Sequence, residues 1–325
     1  MSRLSYQIPN FTYPDTPPEA VFDKVVTQAK AAEAAGFDRV MVMDHFYQLP
    51  MLGAADEPMF ECYTMLSALA QHTKAVRLSA LVTGNTYRNP ALLAKTITTL
   101  DHVSHGRATL GIGAGWFEGE HIGYGFEFGT LSERFEKLDE ALSIIVPMLR
   151  GERPTVEGRF YTAVDAINAP LPLSPIPVMI GGQGEKKTLR LVAKYADESN
   201  LTGEVKDIPR KLEALAKHCD DLGRDRSEID VTKMLMVAVA PTHEEAEADL
   251  RAVAAAKSWN DDVIAMAKQL LIFGDPDTVG EQIAEAMSHG IDGVALNLPA
   301  NGHNPERIAL LGEIAQKAIA ASGRN

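Results

Sequence analysis

Short apolar runs alternate with longer amphipathic segments along most of the chain. Some runs, such as residues 40–43, are apolar at every position, which is typical of strands buried on both faces of a parallel sheet. The longer segments carry apolar residues at helical spacing, and one opens with Asn89 and Pro90, a favourable helix start. The pattern predicts strands over residues 4–8, 39–43, 76–82, 108–112, 178–180, 198–201, 230–239 and 290–299.

The segments between these strands predict helices that carry the chain from one strand to the next. They cover residues 18–35, 61–73, 89–104, 131–149, 185–195, 207–222, 243–257, 262–271, 277–289 and 305–321. Strands that are each followed by a helix imply parallel pairing and right-handed crossovers. Eight such units favour an α/β fold of the (β/α)8 TIM barrel type over the alternative, an open doubly wound sheet.

One segment breaks this alternation. Residues 151–177 contain Pro154, Pro170, Pro172, Pro175 and Pro177, with short extended pieces between them. We interpret this segment as an insertion before the fifth strand. Because no internal repeat, low-complexity tract or linker divides the sequence, we predict that residues 1–325 form a single domain.

The charge balance limits the partners that this protein can attract. The formal net charge is −13 and the sequence pI is about 5.2. A chain this acidic has no global attraction for nucleic acid or for an anionic membrane, so we expect neither partner. Its two cysteines, Cys62 and Cys219, lie far apart, and no apolar run approaches the length of a membrane span. We therefore expect a cytoplasmic protein.

Barrel enzymes place their chemistry at the C-terminal ends of the strands. The second strand ends in Asp44 and His45, an adjacent carboxylate and imidazole. Polar and glycine-rich residues follow other strands: Thr83, Gly84 and Asn85, then Gly113, Gly115 and Trp116, then Gly181, Gly182, Gln183 and Gly184. Glycine lets a ligand approach the main chain closely, so these strand ends suit a flat aromatic cofactor.

Each of these features also has a structural explanation. His45 taken alone could be a structural histidine whose hydrogen bonds are made by a nearby loop, although its place at a strand end favours function. Asp44 could orient or cap the backbone. The segment GIGAGW lacks the spacing of a dinucleotide fingerprint, so a tight turn explains it better. The segment GGQGEKKT predicts either an anion site at a helix start, with Lys186, Lys187 and Arg190 nearby, or a turn with a solvated basic face.

Metal and covalent chemistry are not favoured by the sequence. His102 and His105 end a predicted helix, away from the strand ends, and Glu118, Glu120 and His121 form the other cluster that we considered. The first strand lacks the His-x-His that barrel metallohydrolases carry, so we expect no catalytic metal. No G-x-S-x-G nucleophile elbow is present either.

Three segments follow one another in the order found in a known family: VMVMDHF, then SALVTGNTYRNPALLAKTITTLDHVSHGRATLGIGAGWFEGEHIGYG, then IGGQGEKKTLRLVAKYAD. In these segments the chain resembles the bacterial luciferase-like monooxygenase superfamily. It looks most like the branch that uses the deazaflavin coenzyme F420. The resemblance spans almost the whole chain, and GIGAGWFEGEH is its most specific part. It implies a (β/α)8 barrel with an insertion region and a homodimer.

The resemblance also implies roles for single residues. His45 matches a histidine near the reactive face of the deazaflavin, and we include its neighbour Asp44 in the cofactor-binding set. The bond Ala80–Leu81 matches a non-prolyl cis peptide that forms a bulge behind the central ring. The other cofactor-binding residues are expected to be Thr83 and Asn85 at the polar edge of the ring, Gly113 and Gly115 beside it, and Gly181, Gly182, Gln183 and Gly184 at the phosphate.

Trp116 departs from the pattern of one group within this family. Members that oxidise glucose 6-phosphate carry a glutamate proton donor at the position that Trp116 occupies. Sugar-phosphate oxidation is therefore not expected here. Trp116 instead predicts an aromatic wall of the substrate pocket, with further substrate contacts from residues 49–58 and 116–128.

These observations favour an F420-dependent oxidoreductase that moves a hydride between the deazaflavin and a small organic substrate. His45 would transfer a proton or hydrogen-bond the substrate, while Arg88, Lys186 and Lys187 would meet the anionic tail of the cofactor. The alternative is an FMN-dependent monooxygenase of the same fold that uses reduced flavin and O2. A non-catalytic flavin-binding protein is a third hypothesis.

Overall fold

A sheet of parallel strands forms the centre of the molecule in the computed structural model, which describes residues 4–323. The chain forms β1 (Leu4–Ile8), β2 (Arg39–Val42), β3 (Arg77–Ala80), β4 (Thr83–Gly84), β5 (Leu110–Gly113), β6 (Val156–Glu157), β7 (Thr162–Ala163), β8 (Val178–Gly181), β9 (Glu198–Leu201), β10 (Asp230–Val239), β11 (Ile272–Gly274) and β12 (Gly293–Asn297). β6 and β7 form a separate hairpin, and the other strands belong to the central sheet.

Helices cover the outside of this sheet and bury the apolar residues that face them. They are α1 (Val21–Ala34), α2 (Cys62–His72), α3 (Pro90–Val103), α4 (Glu118–Tyr124), α5 (Leu131–Leu149), α6 (Thr188–Tyr195), α7 (Ile208–Leu222), α8 (His243–Ala256), α9 (Asp261–Leu270), α10 (Pro276–Ser288) and α11 (Pro305–Ala321). Within residues 4–323, no helix is both long enough and apolar enough to cross a membrane.

The sheet closes on itself through an interrupted third barrel strand, made of β3 and β4. β3 pairs with β2, and β4 pairs with β5 through Thr83 and Gly84. β3 also contacts the segment just before β5. The Leu78 N–H donates to the Arg107 carbonyl, and the Leu78 carbonyl accepts from the Thr109 N–H. The neighbouring barrel strands pair in parallel, so the predicted (β/α)8 barrel is confirmed.

Four short elements were not predicted. α4 contains Gly119 and Gly123, which disfavour an isolated helix, so its apolar spacing gave little helical signal. β11 pairs with the far end of β10, and β6 pairs with β7 in a small antiparallel hairpin inside the segment interpreted as an insertion. These elements are too short for periodicity to identify.

A buried ion pair occupies the barrel interior near the N-terminal ends of the strands. Arg39 on β2 donates two hydrogen bonds to Glu198 on β9, at 2.6 and 2.7 Å. Both side chains are almost completely buried. Met41, Met179 and Ala295 form a buried apolar cluster beside this pair, and Arg39 Nη1 lies 3.7 Å from Met179 Sδ. The closed base therefore leaves the opposite end of the barrel for a ligand.

Candidate active site

His45 lies immediately beyond β2, at the C-terminal end of the barrel. Its Nδ1 is 2.9 Å from Glu120 Oε2. Its ring meets Trp116 and Phe117 edge to face, with centroids 5.7 and 6.0 Å away. The imidazole therefore has a carboxylate on one side and aromatic rings on another, and it stays partly accessible.

Glu120 on α4 holds His45 in a defined orientation. Besides His45, it accepts hydrogen bonds from the backbone N–H of Phe46 at 2.6 Å and of Tyr47 at 2.9 Å, and from the Tyr87 hydroxyl at 2.6 Å. Burial alone would raise the pKa of Glu120, but these hydrogen bonds and His45 hold it below its usual value. An ionised carboxylate only accepts hydrogen bonds, so Nδ1 of His45 carries a proton and Nε2 of the neutral ring keeps its lone pair.

Sequence reasoning considered Glu120 only as a metal ligand and did not include it in the site. The available signal was its place in GIGAGWFEGEH, the segment with the most specific resemblance. His121, the other residue weighed for metal binding, contacts Thr86 Oγ1 at 2.7 Å and the Phe117 carbonyl at 2.8 Å. Both side chains are therefore held by protein groups.

The buried Glu120 carboxylate should make stability depend on pH. Its folded-state pKa lies below the ordinary value of 4.5, so it stabilises the fold above that value. This stabilisation is lost as the pH falls through the lower folded-state pKa. We measure the free energy of unfolding in urea from pH 7 to pH 3 for wild type and for Glu120→Gln. Near neutral pH, the wild-type free energy of unfolding should be the larger of the two by a constant amount. This difference should shrink below about pH 4.5.

Glu118→Gln provides the matched control for this measurement, since Glu118 is exposed on the same helix. It should leave the free energy of unfolding nearly unchanged throughout the pH range. If the difference in free energy of unfolding between wild type and Glu120→Gln does not depend on pH, Glu120 is not a carboxylate of lowered pKa.

Asp44 is buried and binds protein groups with both carboxylate oxygens. It pairs with Arg88 at 2.6 and 2.9 Å and accepts from the Gly84 N–H at 3.1 Å. Burial raises the pKa of Asp44, which the Arg88 guanidinium partly offsets. Arg88 also reaches Glu61, so it is held in an ion-pair network and does not extend to the rim as expected. Asp44 thus fixes the β4 loop against β2.

The non-prolyl cis peptide lies one bond later than predicted. It joins Leu81 to Val82, so the prediction for Ala80–Leu81 was wrong. The reason lies in the pairing of β3, because the Leu81 N–H still donates to the Val42 carbonyl at 2.9 Å. Leu81 therefore still pairs with β2 through its N–H. The cis bond follows it, between Leu81 and Val82.

Thr83 and Asn85 lie together beyond this break, and both are buried. The Thr83 hydroxyl already shares a short hydrogen bond with the Tyr63 hydroxyl. Asn85 differs, because its side-chain Nδ2 has no acceptor among residues 4–323. A buried amide donor without an acceptor is costly, so Asn85 fits the role of a group that binds a ligand oxygen or nitrogen.

Two glycine segments bring backbone close to the same end of the barrel. At Gly113 and Gly181, a Cβ would lie 2.9 and 2.8 Å from methyl groups of Val82, which allows no side chain there. Gly115 and Gly182 have φ values of +77° and +134°, which favour glycine. The Val82 side chain therefore packs against the main chain of Gly113 and Gly181, at the end of the barrel where the resemblance places the ring and the phosphate.

The loop of Gly181, Gly182, Gln183 and Gly184 precedes α6, which begins at Thr188, later than predicted. The Gln183 side chain accepts from the Lys211 ammonium at 3.1 Å. Burial lowers the pKa of Lys211, and no carboxylate within residues 4–323 forms an ion pair with it. The Lys211 ammonium therefore contacts this loop through Gln183. Lys186 and Lys187 are exposed beside it, in a position to meet an anionic ligand.

Trp116 is 54% exposed and stacks on Phe117, with ring centroids 5.3 Å apart and planes 16° apart. The stacked pair forms an aromatic wall beside His45. The structure thus places His45, Trp116, Asn85 and the glycine segments at the same end of the barrel. The described residues bring the predicted site residues together, although Asp44 and Thr83 serve protein contacts.

Comparisons with known proteins agree with this architecture. The family model for luciferase-like monooxygenases matches residues 3–293. An F420-dependent glucose-6-phosphate dehydrogenase of Microbacterium testaceum (strain StLB037) is 31% identical over 299 residues, 85% of this chain and 87% of that protein. A 5,10-methylenetetrahydromethanopterin reductase of Methanolobus tindarius is 28% identical over 276 residues, 84% and 72% of the two chains. The structure of an F420-dependent secondary alcohol dehydrogenase with an F420–acetone adduct superposes with a TM-score of 0.79 at 20% identity, covering 98% and 99% of the chains.

Proposed function

We propose that this chain, which belongs to the luciferase-like monooxygenase family, is an F420-dependent oxidoreductase acting on a small organic substrate. The observation that carries the proposal is the His45–Glu120 pair beside the glycine segments at the C-terminal end of the barrel. The similarity to F420-dependent dehydrogenases and reductases supports the choice of cofactor. An intact, partly accessible imidazole counts against a non-catalytic flavin-binding protein.

The residues present fit the proposed cofactor. Asn85 offers a buried amide donor without a protein acceptor, which suits the polar edge of a flavin-like ring. Gly113 and Gly115 lie where the resemblance expects the ring, and Gly181 to Gly184, with Lys211 bonded to Gln183, lie where it expects the phosphate. When bound, the deazaflavin accepts or donates the hydride.

His45 supplies the proton transfer. In alcohol oxidation, its Nε2 accepts the proton of the substrate hydroxyl, and in the reverse direction it returns that proton to the oxygen. Glu120 stabilises the imidazolium that forms, because the carboxylate stays 2.9 Å from Nδ1. Trp116 and Phe117 cover this side of the imidazole and limit its contact with water.

The substrate and the assembly belong to the same proposal. Trp116 in place of a carboxylate argues for a less polar substrate than a sugar phosphate. We expect a single-domain chain that forms a homodimer, as the family resemblance implies, and that works in the cytoplasm. Both cysteines, Cys62 and Cys219, are buried and free, which fits a reducing compartment.

Binding titrations test the cofactor assignment. We expect cofactor-free protein to bind F420, with affinity that falls as salt rises because phosphate and tail charges are screened. Lys186→Gln, beside the phosphate loop, should weaken F420 binding and flatten the salt dependence. Lys317→Gln on α11, where the lysine pairs with Glu313, is the matched control and should do neither. FMN binding at least about tenfold tighter than F420, near 1.4 kcal/mol, would favour the monooxygenase alternative.

A further inference from the structure

Tyr87 binds the same carboxylate oxygen that contacts His45. Its hydroxyl donates to Glu120 Oε2 at 2.6 Å, and Nδ1 of His45 lies 2.9 Å from that oxygen. The other oxygen, Oε1, accepts from two backbone N–H groups of the loop after β2. The negative charge of Oε2 is therefore divided between the tyrosine and the imidazole, so the strength of one contact depends on the other.

The Tyr87 hydroxyl acts as the donor in this contact. Burial and the neighbouring Glu120 carboxylate raise the pKa of Tyr87, so the phenol keeps its proton at neutral pH. Burial alone would raise the pKa of Glu120, but its hydrogen bonds hold it below the ordinary value. An ionised carboxylate can only accept, so the proton between the two oxygens stays on the tyrosine.

Aromatic packing fixes the position of Tyr87. Its ring centroid lies 4.8 Å from those of both Phe46 and His121, and only 9% of the residue is exposed. Tyr87 follows β4, whereas Glu120 lies on α4. The hydrogen bond thus ties the end of the third barrel strand to the helix that carries Glu120, and packing sets its geometry before any ligand binds.

Other charged side chains close to this contact or on the same helix are Asp44, Arg88, Glu61 and Glu118. The first three form one ion-pair network, so their charges partly offset one another. Glu118 is exposed, and water screens its charge. Within residues 4–323, Glu120 is the carboxylate in ion-pair contact with His45.

We propose that Tyr87 is a positioning residue that sets how strongly Glu120 holds the His45 imidazolium. By donating to Oε2, its hydroxyl draws carboxylate charge toward itself and leaves less for the Nδ1–H group. A proton that Nε2 takes from the substrate is then bound less tightly and passes more easily to solvent. This use in turnover rests on the proposed function, whereas the coupling of the three side chains is a property of the unliganded chain.

Tyr87→Phe tests the coupling without cofactor, because it removes the hydroxyl and keeps the ring. The undivided charge on Oε2 should then favour the imidazolium. The midpoint of the His45 titration, followed by its ring-nitrogen chemical shifts from pH 5 to 9, should rise. We expect a rise of about half a pH unit or more, a fraction of the roughly one to three units that a full neighbouring charge produces.

Tyr195→Phe is the matched control for this measurement. The Tyr195 hydroxyl also donates to a carboxylate at 2.6 Å, that of Asp139, but it lies at the end of α6. Its removal should leave the His45 midpoint unchanged. Equal midpoints for Tyr87→Phe and wild type would overturn the proposal.

A Glu120→Gln background shows whether the effect passes through Glu120. There the carboxylate charge is absent, so adding Tyr87→Phe should not move the His45 midpoint further. A shift of equal size in both backgrounds would also overturn the proposal. With F420 and an alcohol, the acidic limb of the kcat/KM profile should rise with the midpoint, while kcat at higher pH stays near wild type. A raised midpoint without any turnover would contradict the proposed function and leave the coupling standing.

Discussion

Replacing His45 with alanine should lower kcat by about 100-fold or more while the protein stays folded and still binds F420. This is the usual scale for losing a positioned general acid or base. Glu120 binds Nδ1 of His45, so Nε2 is the ring nitrogen that exchanges a proton with the substrate. Steady-state turnover with F420 and an alcohol substrate, measured across pH 5 to 9, gives the result.

His102→Ala is the matched control for this substitution. His102 lies near the end of α3 and contacts the Leu171 carbonyl at 2.8 Å, far from the mouth of the barrel. Its removal should leave kcat unchanged. If His45→Ala also retains full kcat, His45 is a spacer and the proton is handled elsewhere.

Glu120→Gln tests whether Glu120 sets the tautomer of His45, because the variant keeps the imidazole and changes only its hydrogen-bond partner. The new amide would accept the two backbone N–H groups with its oxygen and turn its NH2 group toward Nδ1. The proton of the neutral imidazole would then move to Nε2, which removes the base for alcohol oxidation. Nitrogen chemical shifts of the His45 ring report this change of tautomer. A purely structural role for Glu120 would leave the tautomer as it is.

Replacing Glu198 with alanine should have the largest effect on stability. The change leaves the Arg39 guanidinium inside the barrel without its carboxylate, and both groups are at most 4% exposed. Breaking a buried pair from one side costs about 3–5 kcal/mol, because a charge remains buried and uncompensated. Urea unfolding monitored by circular dichroism should show this loss.

Glu313→Ala removes a carboxylate from an exposed pair with Lys317 and serves as the control. Such surface pairs add little, so no measurable loss is expected. The double change Arg39→Met with Glu198→Leu removes both charges and should recover much of the stability. A single Glu198→Ala loss no larger than that of Glu313→Ala would show that water reaches Arg39.

The strands and long helices could be predicted because their patterns are local. α5 matches its predicted bounds, since Thr130 and Glu133 form a capping box at its start. β10 also matches its predicted bounds, as a segment rich in apolar residues between two helices, and β9 matches as a short segment between helices although three of its four residues are polar. His45 and the glycine segments were identifiable for the same reason, because strand ends mark the functional face of a barrel.

The sequence by itself therefore determined the order of the elements, the barrel and the strand ends that carry the candidate site. Tertiary structure decided the rest, because those features depend on pairs of residues far apart in the chain. Glu120 reaches His45 across 75 positions, and Lys257 reaches Glu57 across 200. The position of the cis peptide depends on how far β2 keeps pairing with the third strand. No local periodicity encodes such contacts, which form only when the closed barrel brings distant segments together.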